Sequence, residues 1–395
     1  RRAAAQSRSM HTWAKAREAA EFSQFADALQ EQLDLCLEMA ELVGEDKTAY
    51  DFWIDQFDPG MTAETIEGLF TALKGDLLPI VEEIVHAPVR PDTSKLVGFP
   101  EEKQERFLRE VVEKIGFDFN KGRIDRSVHP FCGGSGEDTR MTTRFNEDLP
   151  LSSLFGSIHE TGHGLYAQGL LNEHFGNALG THVGMAAHES QSRMWENQIG
   201  RSREFWSYWE PRYRELFPEQ LAGVSSDELY LAINAVGVSP IRVESDEVTY
   251  NLHIMLRFAI EKQLFEGSIR VQDLPEAWNS LSRELLDYTP KNDAEGVLQD
   301  IHWSGGMFGY FPSYCLGNIL AAQIWYTVRR DLPDLDDRIA RAEFAPLLEW
   351  LRENVHHRGR EDYTQDFSRK VTGEPLNPDH LIRYLKERSL PLYRS

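Results

Sequence analysis

The residues best suited to chemistry lie in one short stretch, Ser157-Ile158-His159-Glu160-Thr161-Gly162-His163-Gly164. On an α-helix, positions i and i+4 share a face one turn apart, so His159 and His163 can hold one Zn²⁺ between them. Glu160 is turned by about 100° from His159, which lets it face a water beside the ion without being a ligand. A metal site with a general base next to it is equipment for metal-assisted hydrolysis of an amide. Five residues of pattern are weak alone: with 13 His in 395 residues, chance places H-E-x-x-H in roughly a few per cent of such chains.

A catalytic zinc takes three protein ligands and keeps one position open. Downstream, a helix-compatible run from about Val183 to Ile199 carries His188-Glu189-Ser190-Gln191-Ser192-Arg193. The break Phe175-Gly176-Asn177-Ala178-Leu179-Gly180 separates it from the first motif. Two helices joined by such a turn can pack antiparallel and bring Glu189 beside the His pair, giving a His₂Glu set. His188 is the rival third ligand, but adjacent helical residues point in different directions and only one of the two reaches. Taken alone, Glu189 would read as an exposed helix acid; the upstream motif favours the ligand. Co²⁺ or Mn²⁺ can occupy the same donors.

Positioning these side chains requires helices, and the chain supplies them. Leu69, Phe70, Leu73, Leu77, Ile80, Val81, Ile84 and Val85 recur at helical spacing, as do Phe107, Leu108, Val111, Val112 and Ile115, and Leu252, Met255, Leu256, Ala259 and Ile260. These stripes read as core. Strand-like alternation is confined to about 117–124 and 139–145, between Gly-containing loops. Gly133-Gly134-Ser135-Gly136 reads as a turn, and it lacks the Lys-Ser/Thr of a phosphate loop. No repeat or linker is visible. The expected fold is mainly α: one large helical domain, residues 1–395, with a small antiparallel sheet beside the active-site groove.

Composition narrows the class further. A chain of 395 residues with 41% hydrophobic content can bury an ample core. It has no apolar run of about 18 residues or more and no signal peptide, so neither a membrane span nor secretion is indicated. A net charge of −22 repels phosphate and argues against nucleic acid. Cys36, Cys132 and Cys315 are odd in number and widely spaced, which suggests a reducing compartment without a disulfide framework.

The motifs gain specificity from their order. His129-Pro130-Phe131, Asp138-Thr139-Arg140-Met141-Thr142, the H-E-x-x-H and His188-Glu189-Ser190-Gln191 come first. Ile241-Arg242-Val243-Glu244-Ser245-Asp246 and Gly296-Val297-Leu298-Gln299-Asp300-Ile301-His302-Trp303 follow. The series resembles the signature of the carboxypeptidase Taq family of zinc metallocarboxypeptidases: HPF, DxRxT, HExxH, HES/GQ, IRxxAD and GxxQDxHW. Ser245 stands where the family usually has Ala. The likeness continues through Gly309-Tyr310-Phe311-Pro312 to Thr372-Gly373-Glu374-Pro375-Leu376 and Tyr384-Leu385.

The resemblance implies a gluzincin-like fold and removal of single residues from peptides with a free C-terminus. It also implies a cytoplasmic location and a homodimer. Glu160 would be the general base. His302 and Tyr310 would be donors to the oxyanion, as related gluzincins place a His and a Tyr there; Tyr314 is close enough to serve instead of Tyr310. A carboxypeptidase must also read a terminal carboxylate, for which Arg offers a bidentate fork. Arg242 is the first candidate and Arg140 the second, though either could instead pair with an acid of its own block, Asp246 or Asp138. Met194, one turn beyond Glu189, could line the pocket for the leaving side chain or simply belong to the core. His129-Pro130-Phe131 reads as a pocket wall or a support for the ligands, and Asp138 or Asp300 as a partner for a ligand's outer N–H. Family chains extend about a hundred residues further at the N-terminal end. Against them this sequence, opening at Arg1-Arg2-Ala3-Ala4-Ala5, reads as a fragment, a processed chain or an incomplete gene model. Two alternatives stand beside the leading one: a dipeptidyl carboxypeptidase or oligopeptidase, and a catalytically inactive peptide-binding scaffold.

Overall fold

The computed structural model describes residues 1–127 and 130–394. Helices dominate, and the strands form one three-stranded sheet. The contacts group the chain into two compact units, each built from two separated stretches: Arg1–His86 with Val236–Cys315, and Ala87–Ala235 with Leu316–Ser395. The last boundary falls inside the helix Pro312–Asp331, so no linker composition marks it.

The first unit packs amphipathic helices. In the helix Ala63–His86, Phe70, Leu73, Leu77, Ile80, Val81 and Ile84 are buried, as their spacing predicts, while Val85 at the end of the stripe is exposed. The helix Tyr250–Phe265 buries Leu252, Met255, Leu256 and Ile260. It also buries a carboxylate. Glu261 accepts hydrogen bonds from the Tyr50 hydroxyl at 2.9 Å, the Trp303 indole at 2.7 Å and the Gly309 amide at 2.9 Å. Despite these donors, burial pushes its carboxyl up to about 7. A raised carboxyl pKa means that the folded chain holds the proton more tightly than the unfolded chain between about pH 4.5 and 7. Glu261's contribution is therefore fully present below that window and lost as pH rises through it, by up to about 3 kcal/mol. Glu261→Gln stays neutral, so the Tm gap between wild type and variant should narrow from pH 5 to pH 8 in thermal scans. A gap independent of pH would show that Glu261 does not titrate there.

The second unit holds the sheet and the motif helix. Strands β1 (Gly122–Arg126), β2 (Phe131–Ser135) and β3 (Asp138–Thr143) lie in the order β1-β3-β2. β2 pairs antiparallel with β3, as expected; β1 runs parallel to it, from Gly122 opposite Thr139 to Arg126 opposite Thr143. The expected strand at 117–124 is displaced toward its C-terminal side, and Phe117, before it, is buried. The run expected to be only a turn instead supplies Gly133, Gly134 and Ser135 to β2; the tight connection is Gly136-Glu137. Gly134 has φ +112°, a conformation that favours glycine over any residue with a Cβ. The helix Pro150–Gly169 starts with Pro at its first position and packs on β2 and β3. A hydrogen bond from Ser157 to Thr143 at 2.8 Å ties it to β3. Among the described residues no helix is long and apolar enough to cross a membrane.

Candidate active site

The helix Pro150–Gly169 presents His159 and His163 on one face, and the next long helix, Met185–Arg193, presents Glu189 to them. Glycine permits the approach. A methyl group on Gly162 would lie 2.5 Å from the Ser192 Cα, and one on Gly317 would lie 2.6 Å from the Glu189 Cβ. Both positions therefore require the smallest residue to keep Glu189 against the His pair.

The three donors converge. Nε2 of His159 and of His163 face the same Glu189 oxygen, Oε2, at 3.5 and 3.3 Å, and one ligand atom from each of the three residues lies within 4.8 Å of the others. The outer nitrogens are already engaged: His159 Nδ1 faces Glu196 Oε2 at 2.9 Å, and His163 Nδ1 faces the backbone carbonyl of His188 at 3.1 Å. A proton on each Nδ1 leaves the Nε2 lone pairs pointing at a carboxylate oxygen. Three such acceptors repel one another unless a cation lies among them, so the donor set fits a divalent ion. The resemblance to His₂Glu zinc sites extends to the outer partners.

Electrostatics support that reading. Burial works against the charge on Glu189, yet His159 and Arg193 hold its carboxyl well below the usual range. Arg193 Nε donates to Glu189 Oε1 at 2.7 Å, Ser192 Oγ donates to Oε2 at 3.0 Å, and Arg193 Nη1 reaches Glu196 Oε2 at 3.3 Å. Glu196, largely enclosed, is held down to about 2, with Arg193 and His159 overcoming the cost of desolvation. Glu160 goes the other way: burial raises its carboxyl, and the two imidazoles only partly offset this. It stands outside the three-residue cluster, and Cys132 of β2 lies within its electrostatic reach. The His188 ring lies tilted against His163 with centroids 4.5 Å apart, and burial pushes its pKa well down. It too stands outside the three-residue cluster, which Glu189 completes with one oxygen facing both Nε2 atoms.

Two residues here had no role in the sequence reading. Glu196 serves as the outer partner of His159, in place of Asp138 or Asp300, and Arg193 bridges Glu189 and Glu196. Asp138 instead pairs with Arg140 at the surface, at 2.8 and 3.0 Å, and Asp300 is held by arginines in the other unit. A signal existed: Glu196 follows Glu189 by two helical turns and so shares its face. Both belong to one continuous stretch in which Met185–Arg193 passes into a π-helical turn, Met194–Ile199. Such turns recur at functional sites. Met194 is completely buried, a core position rather than a surface open to a leaving side chain. Arg140 is exposed and paired. His129 lies outside the described residues; Phe131, two residues on, is exposed at the start of β2.

The remaining candidates gather in the first unit. Arg242 is buried and gives two hydrogen bonds to Asp300 Oδ1, at 2.7 and 3.0 Å, and one to the Tyr250 hydroxyl at 2.7 Å. Its acid is Asp300 and not Asp246, which is occupied by the Val248 and Thr249 amides and the Thr249 hydroxyl. Arg257 binds the other Asp300 oxygen at 2.7 Å, so two guanidinium groups share one carboxylate. His302 is largely enclosed, and desolvation lowers its pKa to about 3, Asp300 notwithstanding. Its Nε2 lies 3.1 Å from the Tyr314 hydroxyl, while the Tyr310 ring sits 5.4 Å from its own. The structure thus gathers His302, Tyr310, Tyr314 and Arg242 in one unit and His159, Glu160, His163 and Glu189 in the other.

The sequence profile of the carboxypeptidase Taq (M32) metallopeptidases matches residues 1–389. The chain is 40% identical over 383 residues to carboxypeptidase 1 of Bacillus subtilis strain 168, covering 96% of this chain and 76% of that protein. It is 44% identical over 346 residues to thermostable carboxypeptidase 1 of Thermus thermophilus, covering 87% and 68%. The crystal structure of the M32 carboxypeptidase from Deinococcus radiodurans R1 superposes with a TM-score of 0.96 at 38% identity, covering 99% of this chain and 79% of that one. With the profile spanning nearly all of the sequence and the His-His-Glu cluster in place, the chain belongs to the carboxypeptidase Taq (M32) family and is a peptide hydrolase of the metallocarboxypeptidase class.

Proposed function

We propose that residues 1–395 form the catalytic domain of a zinc carboxypeptidase that removes single residues from the C-termini of peptides, with Glu160 as general base. The carrying observation is the convergence of His159 Nε2, His163 Nε2 and Glu189 Oε2 beside a buried glutamate that is not a ligand. His159, His163 and Glu189 would hold the ion, with Glu196, Arg193 and the His188 carbonyl fixing their orientation. When bound, zinc supplies Lewis acidity, polarising a carbonyl and acidifying water. Glu160 takes the proton of the attacking water and passes it to the departing amine. Burial excludes competing water around its carboxylate, and the raised pKa makes it the stronger base. β2 is an edge strand with an exposed Phe131, and such an edge can pair with an extended substrate backbone.

Within the first unit, the two arginines around Asp300 leave one positive charge in excess, which suits a terminal carboxylate. We assign that carboxylate to Arg242, and oxyanion donation to His302 and Tyr310, with Tyr314 orienting His302. The homodimer, the cytoplasmic location and zinc in preference to Co²⁺ or Mn²⁺ belong to the same reading and rest on the family resemblance.

The test uses zinc-loaded protein, one unblocked peptide and its C-terminally amidated twin, with products followed by mass spectrometry. Stepwise loss of single residues from the free peptide alone is expected. Internal or dipeptide cleavage would replace this reading with an oligopeptidase, and no cleavage with zinc bound would leave a scaffold. In the same assay Arg242→Lys should raise KM for the free peptide about tenfold or more with little change in kcat, since the bidentate fork is lost while the charge remains. An unchanged KM would remove Arg242 from carboxylate reading.

A further inference from the structure

The second unit contains an open cleft of about 620 Å³, well away in the sequence from the H-E-x-x-H motif and formed where the helices Arg203–Leu216, Ser226–Ile233, Pro312–Asp331 and Asp379–Arg388 converge. That volume suits a small molecule. Its walls are aromatic: Tyr230, Trp325 and Tyr384 are each more than nine-tenths buried, and Tyr326 stands beside them. Its charges are mixed. Arg203 and Asp227 pair at 3.1 Å, both well exposed, and Glu387 accepts from the Tyr326 hydroxyl at 2.6 Å. Arg388 also lines the cleft, with its Nη atoms 3.2 and 3.4 Å from the Gln198 carbonyl and Asn234 Oδ1.

Gln198 supplies the decisive detail. It lines the cleft, is only 2% exposed, and its side-chain oxygen has no hydrogen-bond partner among the described residues. A buried acceptor left unmatched is costly, and a rotation of the side chain toward the cleft would let a ligand N–H satisfy it. The chemistry of the lining selects the ligand. A purely anionic molecule would meet Glu204, Asp227 and Glu387, and a purely cationic one would meet Arg203, Arg329 and Arg388. A zwitterion meets both signs favourably, and the rings call for a large apolar side chain.

We propose that this cleft is a second ligand site that binds a free amino acid with a large apolar side chain. The α-carboxylate goes to Arg388, the α-ammonium to the Gln198 oxygen, and the side chain lies among Trp325, Tyr326 and Tyr384. Gln198 sits on the same π-helical turn as Glu196, two residues from the outer partner of His159. Free amino acids are also what the proposed reaction releases, so the cleft would sense product; that clause alone rests on the proposed function.

The experiment is calorimetric titration of the zinc-loaded protein with L-phenylalanine, L-phenylalaninamide and 3-phenylpropionate. L-Phenylalanine should bind saturably with Kd of about 1 mM or tighter, and each analogue, lacking one charge, at least about fivefold more weakly. Gln198→Met and Tyr326→Ala should each weaken L-phenylalanine by a similar factor. Absence of saturable heat overturns the proposal. So does an affinity unchanged in either variant, which would put the amino acid elsewhere, including beside the metal ligands. Analogues that bind as tightly would overturn the zwitterion assignment. Calorimetry needs no turnover, so failure to hydrolyse peptides with binding retained would sink the catalytic reading and leave this one standing.

Discussion

Replacing Glu160 with glutamine is expected to lower kcat by about 10³-fold or more while leaving bound zinc unchanged, as read from steady-state kinetics and metal analysis on the same preparation. The substitution keeps shape and one hydrogen-bonding oxygen but removes the proton acceptor. Glu160 lies outside the three-residue ligand cluster, so the metal should not notice the change. It is nonetheless buried next to both imidazoles, where a misplaced carboxylate would be expensive without a task. Comparable turnover in the variant would remove Glu160 as the base. Loss of zinc together with activity would instead make it part of the metal's support.

The second large effect concerns Glu189. Glu189→Ala should weaken zinc binding on the order of 10³-fold, measured by competition with a chromogenic chelator. It removes the oxygen that faces both Nε2 atoms and leaves Arg193 with Glu196 as its remaining acid. Gly317→Ala offers a graded comparison. Its added methyl collides with the Glu189 Cβ and Cγ, both at 2.6 Å, and should displace the carboxylate without removing it, costing roughly 10- to 100-fold in affinity. Unchanged affinity in Glu189→Ala would point to a different third ligand; a fall in Glu189→Ala with none in Gly317→Ala would mean that the helices relax apart without consequence.

Local signals were readable in the chain wherever the determinant itself was local. The H-E-x-x-H face follows from helical periodicity alone, and the stripe Phe70, Leu73, Leu77, Ile80 and Ile84 is core for the same reason. Glu189 was legible because two helices and a turn leave few ways to complete a His₂ site. What escaped depended on distant packing. Arg242 sits four residues from Asp246 in sequence, but its partner is Asp300, brought in from far along the chain. β2 was hidden in a glycine-rich run that reads as a turn, and it is a strand only because β3 supplies its ladder. The parallel pairing of β1 with β3 is equally invisible, since register between strands is tertiary information. Composition likewise could not show the two units, because each combines segments separated by 80 residues or more.

The π-helical turn at Met194–Ile199 carries a consequence for how this segment can change over generations. Such a turn accommodates one residue more than the α-helix it interrupts, so a single-residue deletion there is one the backbone can absorb by reverting to ordinary helix. Residues beyond the turn would keep their places, but Glu196, inside it, would shift along and around the axis relative to Glu189 and leave the His159 ring while the fold survives. Insertions and deletions should therefore be rare here even where substitutions are common: between Glu189 and Glu196 it is the number of residues, more than their identity, that inheritance must conserve.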